Sequence, residues 1–155
     1  MVRIAIGTMA FAVMAACSSA PSAQTPQQMV MGKWNCATQT DDIAISGVFD
    51  YQANGLAKST SNIDVNAGAV KIVLTADADS TWGFGADGKM TETVTAMKLT
   101  SAKMGGQDMA PAMVASLVQP MVDGVVGQSS TTTVAFGDNS FVSTTEEGIV
   151  TTCKR

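Results

Sequence analysis

From Gly32 onward, apolar and polar residues alternate with period two over short stretches that end in turn-forming residues. Such alternation puts one set of side chains on a core and the other in water, as in half-buried antiparallel strands. Ile43, Ile45, Phe49 and Tyr51 share one parity, and Asn54-Gly55 then supplies two residues that tolerate positive φ. The chain returns through Leu56 to Val65 and turns at Asn66-Ala67-Gly68. Val70, Ile72, Leu74, Trp82 and Phe84 then hold one parity as far as Ala86-Asp87-Gly88-Lys89. The spacing predicts eight strands, over 33–39, 43–52, 56–65, 69–84, 90–100, 129–136, 140–145 and 149–155. A change of apolar parity near Ala96-Met97 predicts a bulge in the fifth.

The period changes once. After Gly105-Gly106, the residues Met113, Val114, Leu117, Val118, Met121, Val122 and Val125 recur at intervals of three and four, which predicts an amphipathic helix over about 108–125. Asp108 is the expected N-cap, Pro111 fits the first turn, and Pro120 is expected to kink or split the helix. The fold class is therefore mainly β, an eight-stranded antiparallel up-and-down barrel with one helical insertion between strands five and six. With an even number of strands the first and last run antiparallel, so the sheet can close without an exposed edge.

The N-terminus has another character. Residues 4–16 are apolar or small and uncharged, and they follow Arg3. Thirteen residues are too few to cross a bilayer core, which takes roughly 20, but they suit the core of an export signal. Val13-Met14-Ala15-Ala16-Cys17 resembles the lipobox of bacterial lipoproteins, with small residues before a cysteine that is lipidated and becomes the new N-terminus; Met14 stands where that family prefers Leu. The resemblance implies a signal peptide over 1–16, lipid on Cys17 and, from Ser18 behind it, anchoring at the outer membrane facing the periplasm. Ordinary cleavage after Ala20 or Ala23, giving a soluble periplasmic or secreted protein, is the alternative. Ser18 to Gln28 is uncharged and contains two prolines but no large apolar residue, so 17–31 is expected to be a disordered tether leading into a 32–155 barrel domain.

Either route leaves Cys36 and Cys153 as an even pair in an oxidising compartment, where a disulfide is expected and two free buried thiols are the alternative. If the two stand directly opposite, antiparallel register sets Trp34 against Arg155, and a guanidinium over an indole is worth about 0.5–2 kcal/mol. Gly32-Lys33-Trp34 and Arg155 are similar to the Gly-x-Trp of the first strand and the last-strand arginine of lipocalins and related calycin barrels. That resemblance implies a closed barrel able to hold a small ligand. The helix departs from the family, whose own helix falls between the final pair of barrel strands.

Composition narrows the chemistry. The chain has 155 residues, 46% hydrophobic and 14% charged, with a net charge of −4 that becomes one more negative if Arg3 leaves with the leader. It lacks the basic footprint of a nucleic-acid binder. Histidine is absent, which excludes Ser-His-Asp and Cys-His nucleophile systems, HExxH zinc sites and His-ligated haem or copper. Asp77-Ala78-Asp79-Ser80 is an incomplete calcium loop, best read as a solvated turn; Asp41-Asp42 and Glu146-Glu147 fall in hairpin connections. Gly83, Gly85 and Gly88 have dinucleotide-loop spacing but sit at a hairpin. Met97, Met104, Met109, Met113 and Met121 could offer thioethers to Cu(I), though packing is the better reading. No catalytic residue, metal site or cofactor is assigned, and an enzyme is not expected.

The leading functional expectation is a membrane-tethered envelope lipoprotein that binds a small apolar or amphiphilic ligand, with the methionine-bearing helix as a lid and Phe49, Tyr51, Trp82, Phe84, Met113 and Leu117 lining the cavity. The alternative is a protein-interaction module with a filled barrel, such as an envelope-assembly accessory or a hydrolase inhibitor. Small lysozyme-inhibitor lipoproteins are similar in size, strands and terminal disulfide. An exposed apolar patch on the helix or hairpin tips would distinguish it.

Overall fold

The computed structural model describes residues 23–155; the expected leader and Cys17 lie outside the described residues. Among the described residues, nine strands make one antiparallel sheet: β1 Gly32–Gln39, β2 Ile43–Tyr51, β3 Leu56–Ala67, β4 Val70–Phe84, β5 Met90–Met104, β6 Gln107–Asp108, β7 Ser129–Gly137, β8 Ser140–Thr145 and β9 Val150–Lys154. All but β6 form a ring. Each of β1 to β4 pairs with the next strand, β5 pairs with β7, and β9 returns to β1. The sheet is barrel-like, and the helical insertion separates its fifth and sixth ring strands as the periodicity predicts.

The seam between β9 and β1 has the expected register. Cys36 faces Cys153, the two are disulfide-bonded, and the Arg155 guanidinium carbon lies 3.9 Å from the centre of the Trp34 ring. Gly32 has φ of +110°, a backbone state that an L side chain resists, so glycine is the natural residue two before this tryptophan. Gly47, paired with Cys36, is required for another reason: a Cβ there would lie 2.3 Å from the Thr60 carbonyl oxygen.

Two register shifts interrupt the β4–β5 ladder where one was expected, leaving Thr95 and Thr100 as the extra residues. Their hydroxyls donate to the carbonyls of Asp79 (3.1 Å) and Thr75 (3.0 Å), which satisfies acceptors next to the irregular ladder.

The ring is uneven. β4 and β5 have 15 residues each, whereas β8 has six and β9 five, and both the β5–β7 and β1–β9 seams comprise four residue pairs. At one end, β1 to β5 therefore outrun the other strands, and the helical segment covers the gap. Its buried Val118 and Val122 form a core cluster with Leu74, against which Ile63, Ile72, Met97 and Leu99 also pack.

A short helix, α1 (Pro26–Val30), covers the other end. This corrects the tether expected over 17–31 for its last residues. Two prolines suggested that the segment could not fold, but Pro26 occupies the first helical position, where its missing N–H is not needed. Thr25 and Gln28 form a reciprocal capping box, with Thr25 N–H donating to Gln28 Oε1 (2.9 Å) and Gln28 N–H to Thr25 Oγ1 (3.3 Å). Val30 is fully buried among Trp34, Tyr51, Trp82, Met90 and Phe141. Along β4, Trp82 and Leu74 stand eight residues apart, or about 26 Å at strand rise, so the two helical caps lie at opposite ends.

The expected N-cap is also corrected. Gly105 and Gly106, both at positive φ, form a hairpin, so Asp108 pairs with Lys103 as part of β6. The helical segment begins after Ala110, which offers no side-chain cap. It comprises α2 (Pro111–Met113), a π-helical turn (Val114–Val118) and α3 (Gln119–Val125). Proline is the cause of this winding. Pro120 has no N–H to return to the turn before it, and the N–H of Gln119 reaches back five residues to Val114.

Candidate functional site

Four apolar residues spaced at i, i+4, i+8 and i+12, from Met113 to Val125, face solvent on the outside of the helical segment. Leu117 and Met121 are 51% and 53% exposed, and Met113 and Val125 39% each. An ideal α-helix advances 100° per residue, so three steps of four would turn such a row by about 120° around the axis. The wider π turn takes up part of this rotation. Val118 and Val122 consequently both point into the ring while the row beside them points out. Beside that row runs another at the same spacing, Ala112, Ser116, Pro120 and Gly124, also exposed. A Cβ built on Gly124 meets nothing within 4 Å.

The segment is therefore apolar on both sides, and Asp123 is the single charge between residues 109 and 128. Gln119 Nε2 donates to Asp123 Oδ1 (2.8 Å), so even that carboxylate has a local partner. A helix of this kind is normally covered on both faces. Ile43 and Val70, at the two hairpins on the same end of the ring, are 38% and 40% exposed.

Of the expected cavity residues, Tyr51 and Trp82 are buried and their ring centres lie 5.1 Å apart, edge to face, while Phe49 and Phe84 pack against the same cluster. Met113 and Leu117 do not join them. The helix points these two outward and buries Val118 and Val122 instead, because it is the other half of the double apolar stripe that packs on Leu74.

At the other end the cap is held by hydrogen bonds. Trp34 Nε1 donates to the Val30 carbonyl (2.6 Å), and Arg155 Nη2 donates to the carbonyls of Met29 (3.3 Å) and Met31. Arginine on the indole thus also ties α1 to the seam.

Between the two apolar clusters, the inward side chains are small: Ser61, Ala76, Ser80 and Ser143 are all buried. One carboxylate lies beside them. Glu92, opposite Trp82, accepts from the Tyr51 hydroxyl (3.1 Å). Burial pushes the Glu92 carboxyl above the usual range, and the Ser80 and Tyr51 hydroxyls partly counter this. Burial, with the Glu92 charge added, holds the Tyr51 phenol far above its ordinary value. The sequence carried a sign of this group, since Glu92 shares parity with Met90 and Val94. Thr132, also inward, has a buried hydroxyl without a partner among the described residues.

The other sequence motifs lie on the outer face or in turns. Asp77 and Asp79 are not in a turn. They project from β4 into a shallow groove of about 590 Å³ that also carries Lys33, Lys58 and Lys98. There Lys58 pairs with Asp79 and the Thr60 hydroxyl donates to Asp77, both at 2.7 Å. Asp41-Asp42 and Glu146-Glu147 occupy hairpin connections, and Gly85 and Gly88 fall in the β4–β5 turn. Among the methionines, Met97 and Met109 pack against the cluster beneath the helix, whereas Met113 and Met121 are exposed. No protein-family model matches the chain, and no curated protein is significantly similar to it.

Proposed function

We propose that this is a bacterial envelope lipoprotein, anchored through Cys17 at the outer membrane, whose ring domain acts as a contact module and presents the outer face of its helical segment to another protein. The reading rests on the apolar row Met113, Leu117, Met121 and Val125, left in water by a helix whose opposite face is already packed. Aliphatic and thioether side chains in such a row suit a protein surface, since methionine adapts to irregular apolar partners. The domain behind it is a closed, lipocalin-like barrel used as a rigid scaffold. Support for that kinship comes from the Trp34–Arg155 stack beside the terminal disulfide.

The test is oxidative footprinting of the full-length protein. Met113 and Met121 should be oxidised by dilute peroxide quickly in the purified protein at low concentration and several-fold more slowly in intact envelopes. Equal rates in both settings would refute the contact reading. Intact mass of the mature protein reports the anchor, through acylation of Cys17.

A specific observation favours a second reading. The Thr132 hydroxyl, buried beside the small inward residues and without a partner among the described residues, is a polar group that one hydrogen bond from a small amphiphilic molecule inside the ring would satisfy. Thermal shift against a panel of apolar ligands tests this, and an unchanged midpoint throughout counts against it.

A further inference from the structure

We infer that Glu92 and Thr132, on the inner face of the β5–β7 seam, form a binding site for the protonated amine of a small amphiphile; this rests on the ligand reading given second above. The two residues are diagonal neighbours, since Glu92 pairs with Ser130 and Met90 with Thr132. Diagonal partners in an antiparallel ladder stand about 7–8 Å apart, a gap that one bridging group spans with two hydrogen bonds of about 2.8 Å. Thr132 is only 8% exposed, and its hydroxyl has no partner among the described residues. A hydroxyl buried in this way calls for a group from outside the chain.

Glu92 has the complementary shortage. Its carboxylate receives the hydroxyls of Tyr51 (3.1 Å) and Ser80, whereas an ionised carboxylate accepts about four hydrogen bonds. It also lacks a counter-ion: the four ion pairs among the described residues engage Asp64, Asp79, Asp108 and Glu146 instead. Burial disfavours its charged form, which a cation brought beside it would restore. The chemistry of the missing partner follows. A primary ammonium is compact, carries the charge that Glu92 lacks and has donors for both residues. A neutral hydroxyl would bridge the same two groups but leave the charge uncompensated. An anionic head would stand against Glu92 itself.

The fold supplies the entry. The β5–β7 ladder ends one pair beyond Glu92, at Thr93 and Ser129, and the Gly127 N–H then donates to the Val94 carbonyl (2.8 Å). From there to the start of its pairing with β6 at Lys103, β5 has no strand beside it on this side, and the helical segment covers the interior. Glu92 is accordingly half-buried, and Ser130 opposite it is exposed. An amine that reaches Glu92 from this lip leaves its apolar part along Val94 and toward Met97, which packs beneath the helical segment.

The experiment titrates the full-length protein in detergent with three probes of one chain length, hexylamine, hexanol and hexanoate, at about pH 8, where the amine is charged. Calorimetry should give hexylamine a Kd at least about tenfold below that of hexanol, with no binding of hexanoate. Glu92→Gln keeps the shape and removes the charge, and should bring hexylamine and hexanol within about threefold of each other; Thr132→Val should weaken both several-fold. General attraction of an amine to an acidic protein would survive Glu92→Gln, so that variant separates the site from its background. A hexylamine advantage that survives Glu92→Gln, or equal affinity for the three probes, overturns the proposal and leaves the ligand reading standing. Binding of no probe, or binding indifferent to Thr132→Val, overturns both.

Discussion

Reducing the Cys36–Cys153 disulfide in the otherwise unchanged protein is the most informative perturbation of the ring. The link joins residues 117 apart in sequence. Loop-closure entropy for that separation is about 16 cal/mol/K, which predicts a loss of about 5 kcal/mol at 25 °C from removing the restraint on the unfolded chain. Reduction adds two hydrogens and leaves both sulfurs in place, so the comparison avoids the cavity that a substitution to alanine would create. With an unfolding entropy near 2.1 cal/mol/K per residue over about 130 residues, the same loss lowers the midpoint by about 18 °C. The assay is urea denaturation of the oxidised and reduced protein, followed by tryptophan fluorescence, since Trp34 and Trp82 both lie in the cluster at the seam. The urea dependence should steepen on reduction, because the unlinked chain exposes more surface on unfolding. A loss under about 1 kcal/mol with an unchanged slope would refute the view that this link acts mainly on the unfolded state.

Arg155→Ala removes the stack on Trp34 and the bonds to the Met29 and Met31 carbonyls, and should cost about 1–3 kcal/mol in urea denaturation, with hydrogen exchange of residues 26–31 rising first; unchanged exchange there would separate Arg155 from α1. Glu92→Gln should raise the melting midpoint at pH 7 to 8. Because the folded carboxyl is shifted upward, the cost of ionising it appears as pH rises through the folded value and vanishes below the unfolded value, so wild type and variant should converge near pH 4; a constant gap across that range would contradict the assignment. Thr132→Val replaces an unpartnered buried hydroxyl with a methyl of the same shape and should leave stability equal or about 1 kcal/mol higher by chemical denaturation, destabilisation being the contrary result.

The candidate interface shows how much of this was legible. The seven apolar positions from Met113 to Val125 announce a helix, but they form a double stripe, and spacing alone does not tell which half meets the sheet. The deciding feature is the packing of Val118 and Val122 on Leu74, with the π turn before Pro120 keeping those two valines on one side. Met113 and Leu117, reasonable cavity residues by periodicity, therefore lie outside. Residues 26–30 show another limit, because composition registers Pro26 as a helix breaker whereas its position makes it a helix starter.

By itself the sequence determined the strand order, the turns and the seam, because period-two alternation, Asn-Gly and Gly-containing turns, and antiparallel register are local or pairwise rules. Once Cys36 stands opposite Cys153, antiparallel register alone sets Trp34 against Arg155. Tertiary structure decided the rest. The unequal strand lengths opened one end for the helix, burial gathered Glu92 and Tyr51 inside the ring, and packing chose which helical face stays in water. Each of these depends on the summed geometry of eight strands, which no local window contains.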